Sequence, residues 1–384
     1  MANEVLKRST KIYISDTYNA SPTKTDVLIG ANRFPFVSED LNSQFDTTDR
    51  NVVLNSIVKE HSLVVRQSVS GSITEEQYYI DSAADPATPT SADTDIPDFL
   101  ILKALGINFD TMPIHQTSPL PGVDFSAGGT AIPDASSTDD TTESFFARYS
   151  IANGPTPSTD WLYIYKFFLN DAANSQGEVY IHKKVRPTAM TWNFAVGSIV
   201  EPQITFGGLS TEVYPATATP SDTIDSSTLD PAIPKNMHIT VGGTAFNLTD
   251  LTININGTTQ NVESIATDGI TDIINTEFAV TGSFSVLYSD YADFYDAFLN
   301  STTSSISATI YDATAISYGA GSAGPTGGTP GSMGKSIKFS LPNIKYSNVV
   351  PTVENDFVVN KVDFTAANKA GNDYGAIEII YTLW

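Results

Sequence analysis

A chain of 384 residues has room for two ordinary domains or one large one, and a hydrophobic share of 41% with 20 Phe and 17 Tyr supplies a sizeable core and excludes whole-chain disorder. Acidic residues outnumber basic ones 43 to 20, for a formal charge of −23; this excludes a grip on nucleic acid by counterion release, which needs clustered Lys and Arg. The absence of cysteine excludes disulfides and thiolate metal sites.

Residues 1–36 read as an N-terminal arm. Met1 to Val5 begins no apolar stretch of signal-peptide length, and no run approaches the roughly 20 apolar residues of a membrane helix. The expectation is a chain folded in a cytoplasm with no membrane partner. From residue 37 to 213 the pattern is strand-rich. Apolar and polar residues alternate through His61-Ser62-Leu63-Val64-Val65-Arg66-Gln67-Ser68-Val69, the period of a half-buried strand. Asp95 is placed to cap a helix with Pro97 in its first turn, ending at Leu105 before a Gly106 stop. Residues 107–160 follow as an inserted loop, low in complexity from Thr111 to Ser144. The section closes on a strand pair, Pro187 to Phe194 and Val200 to Phe206.

Tyr214 to Pro234 carries Pro215, Pro220, Pro231 and Pro234 and reads as a linker. From 235 to 384 the strand pattern resumes in Met237 to Val241 and Leu251 to Ile255. Ser289 or Asp290 caps a second short helix ending at Leu299. A Gly-rich loop spans 316–334. A second closing pair comprises Pro342 to Tyr346 and Phe357 to Phe364.

The two halves match in order. Asp40-Leu41 recurs as Asp250-Leu251, Asn51-Val52 as Asn261-Val262, and Ser68-Val69-Ser70-Gly71-Ser72-Ile73 as Ala279-Val280-Thr281-Gly282-Ser283-Phe284. Each half then runs into a helix bearing Asp-Phe, at Asp98-Phe99 and Asp293-Phe294. Collinear matches of this kind predict an internal duplication.

Motifs for chemistry fail on their context. Gly319-Ala320-Gly321-Ser322-Ala323-Gly324 fits a dinucleotide fingerprint by letter, but Pro325-Thr326-Gly327-Gly328 follows instead of a helix N-terminus. Gly334-Lys335-Ser336 lacks the first glycine of a phosphate loop, since residue 329 is Thr329. The four histidines are scattered singly, and no Ser stands in a Gly-x-Ser-x-Gly elbow. No enzyme, cofactor or metal site is expected. The one basic cluster, Lys183, Lys184 and Arg186 beside His182, is either a patch for a neighbouring subunit's carboxylates or a solvated strand end.

Three stretches carry a resemblance: Tyr180 to Phe206, with Met190-Thr191-Trp192-Asn193-Phe194 and Ile204-Thr205-Phe206-Gly207-Gly208; Val280 to Phe284 with Tyr291 to Leu299; and Ile337 to Lys345. The chain resembles the tail tube (major tail) proteins of long non-contractile-tailed phages, in a form with a duplicated tube domain. That resemblance implies an all-β fold with one short helix per repeat: two tandem tail-tube-type β-sandwich domains whose inner strands form a shared barrel on assembly. It implies a structural virion tail protein, made in the host cytoplasm, that partners itself in stacked rings of three chains with pseudo-sixfold symmetry, six being the less favoured number. Other tail proteins would meet the tube ends, and genome DNA would pass through an acidic bore without specific binding. Asp46, Asp49, Glu75, Glu201, Glu277 and Asp363 are then candidates to line the bore; Lys183, Lys184 and Arg186 are candidates for contacts between subunits. The competing expectation is a two-domain adhesion or receptor-binding protein of a virion or cell surface, which explains the Ser/Thr-rich strands equally well.

Overall fold

The computed structural model describes residues 10–16, 18, 33–34, 36–48, 63–79, 97–113, 145–150, 161–169, 177–195, 197–216, 231–233, 237–246, 248–264, 269–287, 291–311, 335–354, 357–368 and 375–383. In chain order the first elements are β1 (Thr10–Ser15), β2 (Arg33–Phe34), β3 (Phe36–Glu39), β4 (Asn42–Thr48), β5 (Leu63–Glu75), α1 (Pro97–Leu105), β6 (Asn108–Pro113), β7 (Phe145–Ser150), β8 (Leu162–Leu169), β9 (Gly177–Ala195), β10 (Gln203–Gly208) and β11 (Ser210–Ala216). There follow β12 (Met237–Val241), β13 (Thr244–Ala245), β14 (Leu248–Ser264), β15 (Gly269–Leu287), α2 (Tyr291–Leu299), β16 (Thr303–Tyr311), β17 (Lys335–Glu354), β18 (Phe357–Ala366) and β19 (Glu378–Leu383). The all-β class with little helix is what the chain adopts.

Every ladder among these strands is antiparallel, and one connectivity occurs twice. The hairpin β4–β5 leads through α1 to the hairpin β8–β9, and β10 returns to lie between β9 and β5. The hairpin β14–β15 leads through α2 to the hairpin β16–β17, and β18 returns to lie between β17 and β15. Strand β9 also pairs with β14, Trp192 opposite Ile253 and Thr191 opposite Asn254. The result is an unbroken sheet of eight strands in the order β4, β5, β10, β9, β14, β15, β18, β17.

Strands β9 and β17 are long enough to serve two layers. The first part of β9 leaves the eight-stranded sheet and pairs with β8 and β11, and β1 extends that layer through β8 to β2. The first part of β17 pairs with β16 and β19. That second outer layer continues through β16 to β12 and through β19 to β7 and β6. A long strand changes layer only where its pairing is interrupted. In β9 the left-handed Lys184 (φ 49°) stands at the change, and in β17 the register slips between Tyr346 and Asn348.

Between the layers lies one continuous core. Met190, Trp192 and Phe194 of β9 point into it, with Leu251, Ile253 and Ile255 of β14 beside them. Phe339 of β17 meets Trp192 and Phe194 edge-on at centroid distances of 5.4 and 5.2 Å. The indole N–H of Trp192 donates to Gln77 Oε1 at 3.1 Å, and Gln77 Nε2 donates to the Tyr381 hydroxyl at 3.3 Å. Trp192 thus fixes the first set of strands to the second by packing and by a satisfied buried hydrogen-bond chain. Two glycines permit the hairpins. Gly71 has φ +144°, and a Cβ there would stand 2.6 Å from Asp40 O and Leu41 Cα, where β3 breaks into β4. At Gly282 a Cβ would collide with Thr252 O and the Phe364 ring.

Several expectations change. The arm is not free along its length, because Ile12, Tyr13 and Ile14 of β1 are buried. The stretch read as an inserted loop contains β6 and β7, whose hairpin extends the outer layer of the second strand set through β19. Strand β11 continues to Ala216, past the expected start of the linker. Helix α1 starts at Pro97 and stops at Gly106 (φ +94°), as the first-turn proline and the glycine stop predict, while Asp95, the expected cap, lies outside the described residues.

Trp192→Ala is expected to cost about 3–5 kcal/mol, from the cavity and the donor lost to Gln77. Urea unfolding followed by far-UV circular dichroism measures it, and Trp192→Phe is expected to cost less.

Candidate functional site

The eight-stranded sheet has one face in the core, and period-two alternation decides what the other presents. Val69 and Ile73 of β5 point inward, so Ser68, Ser70, Ser72 and Thr74 point out. Thr191 and Asn193 of β9, Thr252 and Asn254 of β14, and Thr281 and Ser283 of β15 share that outward face. Lys361, Asp363 and Thr365 of β18 and Lys345 of β17 complete it. The face is therefore built of hydroxyls and amides, with carboxylates and lysines interspersed.

The predicted acidic residues scatter with respect to it. Asp46 lies on this face in register with Arg66. Glu277 lies on it opposite Thr258 and is exposed. Asp363 lies on it and accepts a hydrogen bond from Asn348 Nδ2 at 3.1 Å. Glu201 is exposed in the turn between β9 and β10, off the ladder. Asp49 lies outside the described residues. Glu75 is a correction: it follows Ile73 by two, shares its inward face, and is 1% exposed. Asp250, opposite Ala195, is a carboxylate of the outward face that the reading missed; only its place in the β9–β14 ladder shows it.

The basic trio is engaged within the chain. Lys183 forms an ion pair with Glu212 of the neighbouring strand β11 and stands 5.3 Å from the Tyr18 ring. Lys184 and Arg186 both lie over Trp161, at 5.6 and 4.5 Å from its ring centre, and Arg186 is 2% exposed. Buried under an aromatic ring, Arg186 is no surface contact; Trp161 was the missed partner, and the 24 residues of chain between them hid it.

The two ends of the eight-stranded sheet are open among the described residues. Strand β4 pairs on one side with β5, and the second part of β17, from Asn348 to Glu354, pairs on one side with β18. Under the β4 edge lies a groove of about 820 Å³, walled by Leu41, Ser43 and Phe45 above and by Phe168, Tyr180 and Val213 below. Phe45 and Val213 are 57% and 50% exposed. At its back the Lys166 ammonium donates to Glu39 Oε2 at 2.6 Å and to Leu41 O at 2.9 Å, tying the outer layer to β3 and β4. His182 Nδ1 is 2.8 Å from Thr211 Oγ1. Burial, and then the nearby Lys166 ammonium, push the His182 pKa down to about 3.

A histidine held below its unfolded value stays neutral when the unfolded chain takes up a proton. Its stabilising contribution is complete above about pH 6.5 and is lost as pH falls toward about 3. Relative to His182→Gln, the wild-type chain is expected to lose up to about 1.4 kcal/mol per pH unit within that window. Urea unfolding of both proteins between pH 7 and 4 checks this.

The family model described as phage tail tube protein matches residues 8–341 of the chain. No curated protein matches it.

Proposed function

The chain belongs to the phage tail tube protein family and is a structural component of a virion tail; from this premise we propose that three copies close, edge to edge, into a ring whose hydroxyl- and amide-rich face lines a DNA conduit. Rings then stack, with other tail proteins at the tube ends. The observation that carries this reading is the β9–β14 ladder, which already joins two four-stranded sets inside one chain. The chain is a tandem duplication in this reading, 37–213 and 235–384, and the joint between chains repeats the joint within one.

Register supports a specific pairing. Gly71 faces Leu41 as Gly282 faces Ile253, so Leu41 corresponds to Ile253, two residues from the Leu41–Leu251 match read in the sequence. Ile204 pairs with Ile73 and Met190, and Val362 pairs with Phe284 and Val349. Met190 thus corresponds to Val349, and Thr191 to Val350. Since Thr191 is opposite Asn254, Val350 falls opposite Asn42 of the next copy.

Size favours three. Three chains of eight strands give 24, and at about 4.8 Å between strands with a tilt near 40° the barrel is roughly 48 Å across. Side chains of about 5 Å on each wall leave on the order of 38 Å, room for a duplex. Six such chains would double the width. Among the described residues the bore wall offers a phosphate backbone no array of cations, so counterion release has little to act on and DNA slides. Asp46, Asp250, Glu277 and Asp363 are the carboxylates of that wall, set against Lys345 and Lys361, so the conduit is polar and not uniformly acidic.

The cysteine-free sequence makes a clean test. Residues opposed across an antiparallel ladder stand about 4.5–5.5 Å apart, within disulfide reach. Val350→Cys combined with Asn42→Cys is expected to give, on oxidation, covalent dimers and trimers and nothing larger on a denaturing gel. Negative-stain images of the wild type are expected to show rings or tubes with a central hole. Monomers at every concentration, or cross-linking that closes at six, would overturn the reading.

A further inference from the structure

We propose that the groove under β4 is a socket for a second copy of this chain, filled by the corner of β17 that carries Pro351 and Val353. The inference rests on the ring reading and goes past main-chain pairing, since it assigns the side chains that seal the joint and the cavity they enter.

The internal joint is the template. There β9 contributes more than a ladder to β14: Trp192 and Phe194, on its inward face, pass under β14 and pack on Phe339 of the outer part of β17. Both are buried, at 0% and 3% exposure. By the register above, Trp192 corresponds to Pro351 and Phe194 to Val353. These two lie on the inward face of β17, opposite Asn360 and Val358, yet no described residue of the chain buries them. Pro351 is exposed, Val353 is 71% exposed, and Val358 is 45% exposed. An inward-facing strand residue left in water is the mark of a core that lacks its other half.

The receiving wall lies at the opposite end of the same sheet. Phe339 and Leu341 lie on the outer part of β17, and by the same register their counterparts on the outer part of β9 are Tyr180 and His182. Both line the groove. Leu41, opposite which Pro351 would fall, forms its roof. So the position filled by Trp192 and Phe194 at the internal joint is, at the free edge, a cavity of about 820 Å³. The chemistry of the walls suits an apolar plug. The Lys166 charge is matched by Glu39, and His182 is neutral at ordinary pH. Burial of Phe45 and Val213 against the plug then adds hydrophobic stabilisation. A surface used this way is heterologous, socket on one copy and plug on the next, which closes into a ring if the rotation allows.

The test compares two faces of one strand. Val353→Asp puts a charge into the socket, whereas Thr352→Asp, its neighbour, puts one on the outward face; pairing through the main chain alone would treat them alike. All three side chains involved, Phe45, Thr352 and Val353, are exposed in the single chain, so monomer folding, followed by circular dichroism, is expected to be unchanged. In sedimentation and negative stain, Val353→Asp and Phe45→Asp are each expected to raise the concentration needed for rings by about tenfold or more, and Thr352→Asp by less than about threefold. If Val353→Asp and Phe45→Asp assemble as the wild type does, or no worse than Thr352→Asp, the socket is overturned while the ring stands. If wild-type protein forms no ring, the underlying reading fails instead.

Discussion

An antiparallel sheet that ends in water leaves a row of unpaired N–H and C=O groups at each side, a template for further pairing. The rest of this structure is organised around that constraint. Outer layers extend on both sides of β9 and β17, and the hairpin β6–β7 is brought from a distant part of the chain to extend the β19 edge. Yet the eight-stranded sheet keeps β4 and the second part of β17 bare among the described residues. No proline or lysine blunts β4, whose sequence is Asn42-Ser43-Gln44-Phe45-Asp46-Thr47-Thr48. In a protein that must stay monomeric such an edge is a hazard. In the ring proposed above it is the adhesive surface, with the internal β9–β14 ladder as its template.

The long strands make this arrangement rigid. Because β9 spans both layers, force applied at the β14 joint passes along one backbone into the outer layer, where β8 and β11 hold it. Strand β17 does the same for the second set through β16 and β19. Trp192 sits where these paths meet, held by Phe339 of β17 and, through Gln77, by Tyr381 of β19. The two strand sets therefore share a core that neither completes alone, and the free ends of the sheet repeat that incompleteness outward. Lys166 serves the same purpose at the β4 end, where its bonds to Glu39 and Leu41 fix the edge strand in place. Breaking such a buried pair from one side is strongly unfavourable.

What the sequence disclosed was local. Alternation found the strands, Pro97 and Gly106 bounded α1, and the repeat match aligned Gly71 with Gly282, whose close approaches only the structure shows. Parity could have removed Glu75, since Ile73 two residues earlier is a core residue, but only if the inward face of β5 were already known. Long-range pairings were out of reach. Nothing in Phe145-Phe146-Ala147-Arg148-Tyr149-Ser150 names β19 as its partner, and a low-complexity neighbourhood made it look like loop. Arg186 was read as surface because a cation usually is; its ring partner Trp161 becomes visible only when β8 and β9 are folded together.

The charge takes on a different meaning once the faces are assigned. A formal −23 per chain suggests at first a wall that repels phosphate, but the outward face of the eight-stranded sheet carries mostly Ser, Thr and Asn, and its carboxylates are interleaved with Lys345 and Lys361. A strongly negative wall would hold a cloud of cations and drag it along with a moving duplex; a neutral hydroxyl wall exchanges weak hydrogen bonds with water and ions and grips nothing. Most of the acidity must then lie off this face, where it sets chains against one another. In the ring we propose, chains brought together would concentrate that repulsion, which screening limits to about 8–10 Å at physiological salt. Assembly has to overcome it at short range, through ladder bonds and buried apolar side chains that act only when edge meets edge in register. Under that proposal, diffuse repulsion paired with a narrow, specific attraction would favour edges that meet in register over contacts that do not.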